Sequence, residues 1–192
     1  MKKILVGTHN KGKFKEISHL ISKRIKKISP ESLNIASPKE TGKTFKANAV
    51  LKANFFSKLS NLPTISDDSG LCIAALNNNP GVYSARLAKK KGKFKKAMKF
   101  ILNRMKKKSN RSGTFVCSLS LKLTKRKIIT VVGKIEGTIT NKILGNKGFG
   151  YDSIFIPKGK KITFGQMNKK KKMKIDHIYI AFSIIKKKYK IL

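Results

Sequence analysis

Acidic residues are scarce in this chain: 8 Asp plus Glu stand against 46 Lys plus Arg, a formal net charge of +38 over 192 residues. That scarcity excludes an acidic tail and a surface laced with balanced ion pairs. Trp is absent, and cysteine is limited to Cys72 and Cys117. With no C-x-x-C and no His at ligand spacing, the cysteines exclude a zinc finger and a disulfide scaffold. They read as small buried hydrophobes in a reducing cytosol. No apolar run approaches the length of a membrane span. Met1-Lys2-Lys3 followed by Ile4-Leu5-Val6 resembles the start of a signal peptide, but the apolar stretch stops at Gly7-Thr8-His9-Asn10, too short for the apolar region of one. The expectation is a cytoplasmic protein that does not enter a membrane. A Walker P-loop is missing, no Ser sits in G-x-S-x-G, and no Cys is paired with a base, which excludes the familiar P-loop and nucleophile-triad chemistries.

What is present points to one globular domain over residues 1–192. The chain is 40% hydrophobic and carries clear periodic segments. Its lysines are spread over helices, turns and strand edges. Drift toward lysine codons in an AT-rich genome accounts for that spread as well as an anionic ligand does. No basic patch is interleaved with aromatics, so specific nucleic-acid binding is not expected.

Ile4 to Val6 reads as a buried strand, followed by a loop from Thr8 to Gly12. Phe14, Ile17, Leu20 and Ile21 then recur at helical spacing. Ile25 to Ser29 is a second strand candidate, and Pro30 to Gly42 reads as a loop. Thr44 is a plausible N-cap for a helix running to about Ser60, with Phe45, Ala49, Ala53 and Phe56 on one side. Thr64 to Ser66 and Leu71 to Leu76 read as short strands either side of Asp67 and Asp68. Phe94, Ala97, Met98, Ile101, Leu102 and Met105 form the cleanest amphipathic helix. Phe115 to Leu123 alternates as a strand with one buried face, and a turn at Thr124 to Arg126 leads to an antiparallel partner, Ile128 to Val132. Ile154-Phe155-Ile156 is a last strand, and Ile178, Ala181, Phe182 and Ile185 mark a C-terminal helix. Together these describe an α/β fold, a mixed sheet flanked by helices.

Two of the eight acids are neighbours, Asp67 and Asp68, set before Ser69-Gly70. Adjacent carboxylates repel unless a cation neutralises them. Asp-Ser-Gly is good turn chemistry, yet in a chain this poor in acids a hard-cation site is favoured, with Mg²⁺ holding a substrate phosphate. Val6-Gly7-Thr8-His9-Asn10-Lys11-Gly12-Lys13 follows a strand and opens a helix, where backbone N–H groups and lysines suit a phosphate. Gly148-Phe149-Gly150-Tyr151-Asp152 reads either as a hairpin capping the core or as a loop whose ring covers a nucleobase.

These blocks, with Glu40-Thr41-Gly42-Lys43-Thr44-Phe45 and Pro80-Gly81-Val82-Tyr83-Ser84-Ala85-Arg86, resemble the Ham1-like (inosine triphosphate pyrophosphatase) family, in family order from residue 4 to about residue 182. The resemblance implies a Mg²⁺-dependent hydrolase that splits ITP, dITP and XTP to the monophosphate and pyrophosphate, clearing deaminated purines from the nucleotide pool. It also implies an elongated mixed sheet with two lobes around a cleft, and a homodimer. Carried over by position, Thr8, His9, Asn10, Lys11, Gly12 and Lys13 would hold the polyphosphate. Asp68 would be the general base and a metal contact, Asp67 and Glu40 would support the metal, and Ser69 would touch substrate. Phe149, Gly150, Tyr151 and Asp152 would frame the base, with Lys172, Asp176, His177 and Ile178 at the family's later substrate positions. Three positions depart from the family pattern: its metal-binding Glu falls on Lys39, its Glu before Asn48-Ala49 is Ala47, and its Arg after His177 is Ile178.

Overall fold

The computed structural model describes residues 2–123 and 127–189. Among the described residues seven strands, β1 (Lys3–Val6), β2 (Lys26–Ile28), β3 (Thr64–Ile73), β4 (Asn79–Pro80), β5 (Ser112–Lys122), β6 (Ile128–Ile139) and β7 (Phe155–Pro157), form one mixed sheet in the order β2-β1-β3-β5-β6-β7, with β4 paired to β3. The chain divides into two compact units. The first is Met1–Asp68, Cys117–Gly133 and His177–Leu192, the second Ser69–Val116 and Lys134–Asp176.

In the first unit β1 (Lys3–Val6) pairs in parallel with β2 (Lys26–Ile28) and β3 (Thr64–Ile73). Ile4, Leu5 and Val6 are fully buried, as expected of a parallel strand covered on both faces. Helix α1 (Lys11–Leu20) starts two residues earlier than the sequence suggests, because the Asn10 side chain caps it by accepting from the Lys13 N–H at 3.1 Å. Helix α2 (Phe45–Ser60) begins at Thr44, whose hydroxyl accepts from the Ala47 N–H at 3.1 Å, and ends on Asn61 in the left-handed region. Ala47 is thus the third residue of α2, where the Glu of a capping box would return a bond to the Thr44 N–H. That departure from the family weakens a helix cap. The C-terminal helix α6 (His177–Tyr189) packs Ile178, Ala181, Phe182 and Ile185 into a core with Ile4, Val6, Ile17, Ile65 and Leu119.

Glycine sets how closely α6 approaches. A Cβ on Gly133 would run into the backbone of His177 and Ala181, neither of which can swing aside. Gly133→Ala should cost about 1–3 kcal/mol, the usual penalty of overpacking, readable as a lower urea midpoint with an unchanged slope.

The second unit holds β4 (Asn79–Pro80), α3 (Ser84–Lys90), α4 (Phe94–Arg104), β7 (Phe155–Pro157) and α5 (Lys169–Lys172). Its core gathers Leu71, Ile73, Ala97, Met98, Ile101 and Met105 around Phe115, Phe155 and Phe164. The Phe115 and Phe155 rings meet edge-on at 4.7 Å between centroids. Both α3 and α5 are short and were not visible as periodic segments.

Strands β5 (Ser112–Lys122) and β6 (Ile128–Ile139) lie side by side. Their short connection permits only antiparallel pairing; the turn expected at Thr124 to Arg126 lies outside the described residues. The expectation of one buried face on β5 is corrected. Ser118 and Ser120, the supposed outer residues, are fully buried too, so hydroxyls lie on a covered face. Ser120 is satisfied by the Thr130 hydroxyl at 2.9 Å.

The acids also have a pattern. Glu16, Asp67, Asp68, Asp152 and Asp176 are buried and Glu40 is half-buried, which leaves Glu31 and Glu136 as the exposed ones.

Candidate functional site

The acidic pair is not in a turn. Strand β3 runs unbroken from Thr64 to Ile73, and it carries Asp67 and Asp68 in its middle, 0% and 5% exposed. Two short strands around a loop were expected because Asp-Asp-Ser-Gly has poor strand propensity. Tertiary neutralisation overrides that preference.

Each carboxylate has its own partners. Lys13, from the first turn of α1, places its ammonium 2.8 Å from Asp67. Burial works against the Lys13 charge, yet Asp67 and then Asp68 outweigh it and hold its pKa above the ordinary lysine value. Asp68 accepts from the Asn48 carboxamide at 3.0 Å, and the Lys52 ammonium stands 3.9 Å from its other oxygen. Lys52 also bonds Glu40 at 2.6 Å. Burial pushes the Asp68 carboxyl above the usual carboxylate range, opposed by Lys52 and Lys13 and assisted by the nearby Glu40.

Asn48 and Lys52 were missed by sequence reasoning. They stand four residues apart on the buried side of α2, among Ala49, Ala53 and Phe56. A polar pair at that spacing on an apolar stripe was the available signal. The Asn48 carbonyl oxygen also accepts from the Gly42 N–H at 2.8 Å, which ties the loop carrying Glu40 to the strand carrying Asp68. Lys39, where the family's Glu was expected to fall, is exposed, and Glu40 is the residue that reaches Lys52.

The Thr8 to Lys13 segment is less open than it looked. Thr8 is buried and its hydroxyl accepts from the Asn10 N–H at 3.2 Å. His9 holds the Ile35 carbonyl through Nε2 at 3.0 Å and meets the Ser37 hydroxyl through Nδ1. A carbonyl only accepts, so Nε2 carries the hydrogen. Lys11 is exposed, and among the described residues the Lys11 and Gly12 N–H groups remain for an anion. Ser69, next in β3, is half-buried.

Among the described residues no three His, Cys, Asp or Glu side chains gather at one point. The residues nonetheless fit Mg²⁺. Glu40 and Asp68 converge on one cationic point, now the Lys52 ammonium, and Mg²⁺ usually takes one or two carboxylates and fills the rest with water and substrate phosphate. Asp67 faces Lys13.

Lys13 should therefore matter for stability. Lys13→Met leaves Asp67 buried without its closest cation, and the melting temperature should fall. Asp67→Asn in the same chain should restore much of the loss. Additive losses in the double variant would show that the two side chains act separately.

The second unit holds the other group. Lys172, 3% exposed, bonds Asp152 at 2.8 Å and lies 4.3 Å from the Phe149 ring centroid. Asp152 also accepts from the Phe149 N–H at 2.9 Å. A Cβ on Gly148 would strike that carboxylate, so this turn needs glycine there. The buried Tyr151 hydroxyl donates to the Ser84 carbonyl at 2.8 Å. Asp152, Tyr151 and Lys172 thus brace the loop, while Phe149 and Gly150 stay half-exposed at its tip. Asp176 is buried in this unit; His177 and Ile178 open α6 in the other. Ile178 is wholly buried in that unit's core, so at this position the chain has packing where the family has a guanidinium.

The Ham1 family model matches residues 4–188. The chain belongs to the Ham1 family. A dITP/XTP pyrophosphatase of Caulobacter vibrioides is 37% identical over 186 residues, covering 96% of each protein. A dITP/XTP pyrophosphatase of Haemophilus influenzae is 40% identical over 191 residues, covering 97% of this chain and 98% of that protein. The structure of a HAM1 protein from Coxiella burnetii superposes with a TM-score of 0.88 at 32% identity, over 97% of this chain and 98% of that one. The mixed sheet flanked by helices is the Ham1 fold.

Proposed function

We propose that this Ham1 protein is a nucleoside triphosphate pyrophosphatase that hydrolyses ITP, dITP and XTP to the monophosphate and pyrophosphate. The observation that carries the reading is the buried pair Asp67–Asp68, held in mid-strand by lysines from two helices. The names of the relatives, dITP/XTP pyrophosphatase, support the substrate class.

Glu40 and Asp68 would hold Mg²⁺, which when bound supplies charge neutralisation on the triphosphate. The chain's own residues do the rest. Lys13 and Lys52 add positive charge where the phosphates bind, and the Lys11 and Gly12 N–H groups take a phosphate oxygen. Asp68 accepts the proton of a water that attacks the α-phosphorus in line; the bond from that phosphorus to the bridging oxygen breaks, and pyrophosphate leaves. Burial raises the Asp68 pKa above the usual carboxylate range, which makes it a stronger proton acceptor. Phe149 offers its ring to the purine, and the backbone of Gly150 offers polar groups to its edge. A homodimer in the cytoplasm belongs to the same reading. Its support is the family resemblance; among the described residues no helix is long and apolar enough to cross a membrane. Sedimentation of the purified chain checks the dimer.

Hydrolysis of ITP, dITP or XTP should exceed that of ATP by ~100-fold or more in kcat/KM, because adenine's 6-amino group leaves polar groups of the pocket unpaired. Pyrophosphate release across the four triphosphates, with and without Mg²⁺, is the measurement. Equal rates on ATP and ITP would remove the selectivity, and no release from any purine triphosphate would remove the enzyme.

A further inference from the structure

Within the second unit, a concavity of about 430 Å³ is lined by Lys95, Lys99, Leu102, Asn103, Asn141, Lys142 and Ile143. It shares no residue with either group of side chains described above. Lys95, Lys99 and Asn103 stand one turn apart along one side of α4, and Asn141 and Lys142 come from the segment after β6. Two separate elements thus bring ammonium and carboxamide donors to one hollow, over the half-buried Leu102 and Ile143.

The charge in this hollow is uncompensated. From Ser69 to Ile135 the sequence contains no Asp or Glu at all. The unit's three acids are Glu136, Asp152 and Asp176. Glu136 is turned to Lys158, Asp152 to Lys172, and Asp176 is buried. Among the described residues the side chains of Lys95, Lys99, Lys142, Asn103 and Asn141 take no hydrogen bond or ion pair. Lys95 and Lys99, four residues apart on a helix, repel each other. An anion bridging them would relieve that repulsion, and the carboxamides would complete its hydrogen bonds. Three cations around an opening of this size suit a chain of two or three phosphates better than a single one.

We propose that this hollow is a second anion site, which takes the di- or triphosphate chain of a small ligand. It stands independently of the hydrolytic reading. A nucleotide and free condensed phosphate share the recognised chemistry, and the apolar floor gives a nucleotide something further to rest on.

Amide hydrogen exchange, mapped along the full chain at physiological ionic strength, tests it. Tripolyphosphate should slow exchange in the peptides covering Lys95–Asn103 and Asn141–Ile143. That protection should vanish in the triple variant Lys95→Gln, Lys99→Gln, Lys142→Gln. It should persist in a control that removes equal charge from exposed lysines of the other unit, Lys2→Gln, Lys15→Gln and Lys23→Gln. The half-saturating tripolyphosphate concentration at these peptides should rise roughly 10-fold or more in a single Lys99→Gln/Lys142→Gln pair. Comparing ADP with pyrophosphate separates the sources. Tighter ADP binding supports a nucleotide, and equal binding supports the phosphate chain alone. Lack of protection at these peptides, or equal protection over every lysine-rich segment, overturns the site. Failure to hydrolyse any triphosphate would leave this exchange pattern unaffected.

Discussion

Asp68→Asn should lower kcat by roughly 10²–10⁴-fold, the range for losing general acid–base help. The change keeps the shape of the side chain but removes its charge and its capacity to take a proton from water. Added Mg²⁺ should not restore the rate, because the acceptor is still missing. The fold should survive, and the reason lies in the sign of the linkage. Native Asp68 holds its proton more tightly than the unfolded chain does, so its ionisation costs stability as pH rises above the usual carboxylate value. Asn removes that cost and can still meet the Asn48 carboxamide through its oxygen. Melting at neutral pH should therefore be unchanged or higher. Turnover against Mg²⁺ concentration, with melts alongside, decides; near-wild-type turnover would leave the acidic pair a structural feature.

Lys172→Met should act in the opposite way. Lys172 and Asp152 form a buried pair at 2.8 Å, and removing one partner of such a pair costs about 3–5 kcal/mol. The freed Asp152 would still hold the Phe149 N–H, but with an uncompensated charge on a nearly inaccessible carboxylate. Urea unfolding should show the loss without any nucleotide present. A variant that melts like the wild type and only binds substrate less well would make Lys172 a ligand-reading residue and not a brace.

Much of this was legible from the residues. Thr44 announced α2 by its capping chemistry, and the apolar rhythm from Phe94 to Met105 announced α4, because local signals and tertiary packing agree there. The acidic pair was recognised as the focus, but its strand was not. What keeps Asp67 and Asp68 in a strand is supplied by Lys13 on α1 and by Asn48 and Lys52 on α2, all distant in sequence. Lys172 and Asp152 read as substrate contacts from their place in the family pattern; only the structure shows them gripping each other. The alternation of β5 misled for a related reason. Leu and Ser alternate faithfully, but the serine face is covered as well.

The burial of most acids has a consequence for how the protein meets its surroundings. The exposed titratable groups are almost all lysines and arginines, with Glu31, Glu136 and the exposed His19 as the main exceptions. A surface made mostly of lysines and arginines keeps its positive sign through the neutral range, since those side chains give up their protons only at much higher pH. Acidity is therefore a weak control on how strongly the molecule attracts anions. Ionic strength is the strong one, because the screening length shortens from about 30 Å at 0.01 M to about 8 Å at 0.15 M.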